Sequence, residues 1–65
     1  MSNSLLQFFG YNHLPEPLQV VSKPFSQLAE HLDAVLPPSA ETTASLRKLL
    51  EAKDCAVRSA LQEVA

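Results

Sequence analysis

Val35-Leu36-Pro37-Pro38-Ser39-Ala40-Glu41 is the stretch on which the fold turns. Two successive prolines cannot continue a helix, because each lacks an N–H and each pushes its predecessor toward extended backbone. Ser39, directly after them, is a strong N-cap. Glu41 stands in the first turn, where a carboxylate favours the positive end of the helix dipole. One helix therefore stops at Leu36 and another starts at Ala40, with only residues 37–39 between them. A connection this short folds two amphipathic helices back on each other as an antiparallel hairpin.

On the N-terminal side of the turn, Phe25, Leu28, Ala29, Leu32, Val35 and Leu36 recur at the i, i+3, i+4, i+7 spacing of an apolar helical stripe. They predict a first helix over residues 15–36. Pro15 and Pro17 suit its opening turn, where missing N–H groups cost nothing. Pro24 complicates it: either the helix kinks there, or Ser22 caps a fresh helix with Pro24 in its first turn. On the C-terminal side, Leu46, Leu49, Leu50, Val57, Ala60, Leu61 and Val64 predict a second helix over residues 40–63. Residues 1–14 form an N-terminal lead, in which Leu5, Leu6, Phe8 and Phe9 make a turn or two of helix. Gly10 ends that helix in a tight turn that aims the ring of Tyr11. No segment alternates with period two. The fold class expected is all-α: one domain over residues 1–65, a short N-terminal helix or turn followed by the hairpin.

Size adds a second expectation. A chain of 65 residues buries only about 60% of its unfolded surface. With Cys55 alone it has no internal disulfide, and it has no clustered Cys/His set for zinc. Two helices side by side leave apolar surface wet, so copies are expected to cover it in a dimer or small ring. The net charge of −2 argues against a general nucleic-acid binder. No run approaches the ~20 apolar residues of a membrane span. Met1-Ser2-Asn3-Ser4 lacks the basic start of a signal peptide, so the expected location is the cytoplasm.

The chemistry concentrates in the lead. Of the chain's aromatic residues only Phe25 lies outside it; Phe8, Phe9 and Tyr11 stand together, followed by Asn12 and His13. Such rings either close a hydrophobic end or stack on a flat ligand. Lys53 falls where the second stripe calls for an apolar residue. It either snorkels to water or waits for an anion at an interface. Hairpin geometry sets Lys53 across from Lys23, an arrangement that needs something anionic between them, Asp54 or a ligand phosphate. Arg47 with Glu51 and Arg58 with Asp54 read as i, i+4 surface pairs. His31 beside Glu30 and Asp33 reads as solvated, and Cys55 as a small half-buried residue. Nucleophile, base and orienting group are not assembled, no motif supports a metal site, and one glycine cannot make a phosphate-cradling loop. The sequence reads as a non-enzyme without cofactor.

Phe9-Gly10-Tyr11-Asn12-His13-Leu14-Pro15, then Val21-Ser22-Lys23-Pro24-Phe25-Ser26-Gln27-Leu28-Ala29, then Thr43 through Arg58 (TASLRKLLEAKDCAVR) together resemble the small phage and prophage proteins whose helical-hairpin domain is shared by anti-CBASS and anti-Thoeris sponges. The resemblance covers nearly the whole chain. It implies a helical protomer assembled as a homohexamer that captures the cyclic nucleotides made by bacterial immune enzymes, without cleaving them, in the host cytoplasm. It implies that cyclic dinucleotides are gripped between paired protomers by an aromatic residue of the lead, matched by Tyr11, and by a lysine, matched by Lys23. Phe9, Asn12, His13 and Lys53 join the candidate ligand-binding set. Some members take cyclic trinucleotides at a separate site, for which Arg47, Lys53 and Arg58 are the candidates; sister proteins take cyclic ADP-ribose isomers instead. From the residues alone, a helical protein-interaction module without a nucleotide ligand is the competing expectation.

Overall fold

The computed structural model describes residues 3–64, with side chains through residue 62. A 3₁₀ helix, Ser4–Phe9, leads into α1, Glu16–Val35, and α2, Ala40–Val64; there is no strand among the described residues. The expected hairpin is present: α1 and α2 pack along each other, and the 3₁₀ helix lies against both. At about 1.5 Å per residue, the 25 residues of α2 account for most of the 40 Å long dimension.

The turn works as its residues demand. Ser39 Oγ accepts the Thr42 backbone N–H at 3.1 Å, capping α2. Thr42 adds a bond that sequence reading did not anticipate: its buried hydroxyl donates to the Pro37 carbonyl at 2.7 Å. Leu36 closes α1 by donating its N–H to the Leu32 carbonyl at 2.9 Å, then turns extended ahead of Pro37. We expect Ser39→Ala to cost about 1 kcal/mol of stability. Urea unfolding followed by circular dichroism reads it, and an unchanged midpoint would show that Thr42 alone anchors the turn.

Pro24 does not break the first helix. The helix runs through it without a restart, and Ser22 is a helix-interior residue rather than a cap. The carbonyl that loses its partner is that of Val20, whose residue is 71% exposed, on the solvent side of the helix, where losing an N–H partner costs least. Gly10 ends the 3₁₀ helix as expected, but not in a tight turn. Its φ of −60° and ψ of 143° are open to any residue, and a Cβ there would meet only the Gln7 carbonyl oxygen at 4.0 Å. The turn comes later, where the Leu14 N–H donates to the Tyr11 carbonyl at 3.0 Å.

The inward face of α1 differs from the expected stripe. Leu18, Ser22, Ser26 and Ala29 are buried, whereas Leu28, Val35 and Leu36 are exposed. Short side chains at 22, 26 and 29 let α2 come close, and Leu46 fills the seam. The Ser22 hydroxyl is fully buried there without a hydrogen-bond partner. Phe9, Ala29 and Leu46 form the core, with Leu5, Leu6, Phe25, Leu32, Leu49 and Leu50 packed around it. Phe25 and Leu32 thus serve the three-way junction with the lead rather than the helix pair alone. Along α2, Val57 and Ala60 are half-buried and Leu61 is exposed. Val64, the last residue of the expected stripe, lies outside the described side chains.

Candidate functional site

The lead, its following loop and the middle of α2 enclose a cleft of about 220 Å³, lined by Phe8, Gly10, His13, Leu14, Lys53, Asp54, Val57 and Arg58. Each wall has a local cause. Phe9 faces the core, so its neighbour Phe8, 54% exposed, turns outward. The turn from Tyr11 to Leu14 carries His13 to the rim. It is held by the Gln19 side-chain amide, which donates to the Leu14 carbonyl at 2.7 Å. Lys53, Val57 and Arg58 are neighbours on α2 at the i, i+4, i+5 spacing, and they form the opposite wall.

Lys53 explains its own place in an apolar stripe. Its side chain is only 12% exposed: the stem is packed, and the ammonium makes its bonds at the exposed edge of the lead. The Nζ donates to the Phe8 carbonyl at 2.9 Å, capping the end of the 3₁₀ helix, and lies 3.1 Å from Asp54 Oδ1. Asp54 therefore pairs with Lys53, not with Arg58 as i, i+4 spacing suggests; this is the one ion pair among the described residues. Arg58 Nη2 instead donates to Cys55 Sγ at 3.3 Å, and Cys55 is exposed rather than half-buried. A thiol is a weak acceptor, so Arg58 keeps most of its donors for another partner. The cleft holds two cations against one carboxylate, a histidine and an exposed ring. That set can take a phosphate-type anion and lay a flat group on Phe8.

The structure brings His13, Lys53 and Arg58 together and places the other candidates elsewhere. Phe9 is 1% exposed and is the largest buried side chain, so it is core and offers no face to a ligand. Tyr11 is half-buried in the same loop, between two residues that line the cleft, and Asn12 is exposed beside it. Lys23 is exposed on α1 and does not line the cleft. The lead occupies the space beside Lys53 and supplies its acceptor. Arg47 and His31 are exposed and outside the cleft. Phe8 is the residue that sequence reading passed over as a site candidate. Its one signal was adjacency to Phe9, since two successive rings on a helix cannot both face one core. Among the described residues no group of three His, Cys, Asp or Glu side chains is placed to hold a metal ion, and no helix is long and apolar enough to cross a membrane. No protein-family model, curated protein or solved structure matches the chain.

Proposed function

We propose that this protein is a sponge of phage or prophage origin. In this reading it captures cyclic oligonucleotide second messengers intact, as a homo-oligomer in the bacterial cytoplasm, and so keeps them from CBASS effectors. The observation that supports it is the cleft, where Lys53 and Arg58 supply cations for phosphate oxygens and Phe8 supplies a stacking face. Stacking of a base on such a ring contributes on the order of 1–3 kcal/mol. In this reading His13, at the rim, and the neighbouring Asn12 meet base edges or ribose hydroxyls.

Size argues for more than one copy at each ligand. The cleft's 220 Å³ falls below the roughly 300–1,000 Å³ of a complete small-molecule pocket, so one chain accommodates a phosphate with part of a base. A cyclic dinucleotide has two bases and two phosphates, and a two-fold pair of chains offers each group twice. Tyr11 and Lys23, accessible but outside the cleft, are the residues a neighbouring copy would contribute. The copies also have a surface to meet on. Val20, Pro24, Leu28 and Val35 are exposed within about 80° of one side of α1, a sector they share with His31 but with no Asp, Glu, Lys or Arg. The same apolar side favours the second reading, a module that docks on another protein.

Calorimetry with a panel of cyclic di- and trinucleotides and cyclic ADP-ribose isomers tests the proposal, with recovery of unchanged ligand after heating the complex. Binding tighter than millimolar and intact recovery are expected for at least one member. Tyr11→Ala and Lys23→Ala are each expected to weaken binding at least about tenfold without altering assembly, a loss of about 1.4 kcal/mol or more. If Arg58→Ala abolishes binding while these two leave it unchanged, the site lies within a single copy. If nothing on the panel binds, the sponge reading falls and the docking module stands.

A further inference from the structure

We propose that the N-terminal 3₁₀ helix is a hinged wall of the cleft, and that its docking and the filling of the cleft by a phosphate-type anion are linked through the Lys53 ammonium. The inference rests on reading the cleft as an anion site. Six residues of 3₁₀ helix do not hold their shape alone. This helix is clamped at both ends, with Phe9 buried between. At its start, the Asn3 backbone N–H donates to Asp33 Oδ1 at 2.9 Å, and Asn3 Nδ2 donates to Thr43 Oγ1 at 3.1 Å. Asn3 Oδ1 turns back to accept the Leu5 N–H at 2.9 Å. At its end the clamp is Lys53 on the Phe8 carbonyl.

Lys53 therefore belongs to two structures at once. Of its three N–H donors, one goes to Phe8 and one to Asp54, which leaves one unassigned on a residue that lines the cleft. With the lead docked, the ammonium is held facing an entering anion, with Arg58 on the same wall. With the lead away, the Phe8 carbonyl and the Phe8 ring leave together: the ammonium is free to turn to Asp54 or to water, and the cleft loses its stacking face. Any gain in anion affinity from docking must return as an equal gain in docking when the anion is bound. Asn3, at the far end of the helix and outside the cleft, becomes a positioning residue for a site it does not touch.

The test uses the full chain and inorganic pyrophosphate. Amide exchange at Leu6, whose N–H donates to the Asn3 carbonyl at 3.0 Å, reports docking of the lead. Pyrophosphate is expected to slow that exchange several-fold. Asn3→Ala is expected to speed it about tenfold, the scale of one or two lost hydrogen bonds, while pyrophosphate affinity falls less than about twofold, because the buried Phe9 still keeps the lead mostly docked. Thr43→Val, which removes one of the two distal anchors, gives a smaller shift in the same direction and guards against misfolding of the first variant. Lys53→Met is expected to abolish the slowing. Pyrophosphate binding with unchanged Leu6 exchange, or slowing by saturating pyrophosphate that survives in Lys53→Met, would overturn the linkage alone. Absence of pyrophosphate binding in the unaltered chain would overturn the anion reading together with it.

Discussion

Phe9→Ala is expected to abolish the cooperative unfolding transition at room temperature, whereas Phe8→Ala, one residue away, is expected to shift it by less than about 1 kcal/mol. Replacing a fully buried phenylalanine by alanine costs about 3–5 kcal/mol, from lost transfer energy and from the cavity left behind. A chain of 65 residues has about that much stability in total. Phe9 is also the main apolar anchor of the lead, so its removal detaches the helix that covers Phe25, Leu32, Leu49 and Leu50. Phe8 is more than half exposed and loses little on truncation. Urea titrations of both variants by far-ultraviolet circular dichroism decide the matter. Equal losses would mean that the lead does not dock in the described register.

Leu28→Glu is expected to dissociate the proposed assembly while leaving the protomer's helicity intact. Leu28 is 45% exposed in the single chain, so a carboxylate there meets water and costs the protomer little. Against a second copy of α1, as proposed, the same carboxylate would be buried among Val20, Pro24 and Val35 in a sector without Lys or Arg. The sector's one histidine, His31, is replaced by Gln in the parent and in both variants to leave the charge unpaired. An unpaired buried charge costs several kcal/mol, and an isologous interface carries it twice. The dissociation constant is then expected to rise by at least about a hundredfold, at 1.4 kcal/mol per decade. Ala52→Glu, an equal charge change at an exposed position on α2, is the control. Sedimentation velocity over a concentration series reads both. If the unaltered chain stays monomeric at every concentration, the paired site falls and the docking module gains.

The hairpin was legible because its signals are local. Two prolines and a serine fix the ends of both helices through backbone chemistry that needs no partner. The inward face of α1 was not legible. Pattern reading follows the large apolar residues at 25, 28 and 32, but the seam uses Ser22, Ser26 and Ala29, and the lead takes Phe25 and Leu32. A third element redistributes faces in a way that periodicity within one helix cannot show. Pro24 was ambiguous for a related reason: its cost depends on whether the orphaned Val20 carbonyl faces water, which only the packing decides. At the site, Lys53 stood out as a cation in an apolar stripe. Its acceptor is a backbone carbonyl, however, and a carbonyl has no sequence signature. The expected pairing of Asp54 with Arg58 gave way to Asp54 with Lys53, because a few tenths of a kcal/mol of i, i+4 attraction cannot compete with an ammonium held in place by another contact.

The run of short side chains at 22, 26 and 29 turns the distance between the hairpin's arms into a fixed dimension. An added methylene at any of these buried positions must displace a packed neighbour, so mutational drift is channelled onto the outer surfaces. Homologous chains should vary freely at positions such as 27, 30, 48 and 52 while remaining small along this line. A variant library selected only for folding would recover that contrast without reference to any ligand.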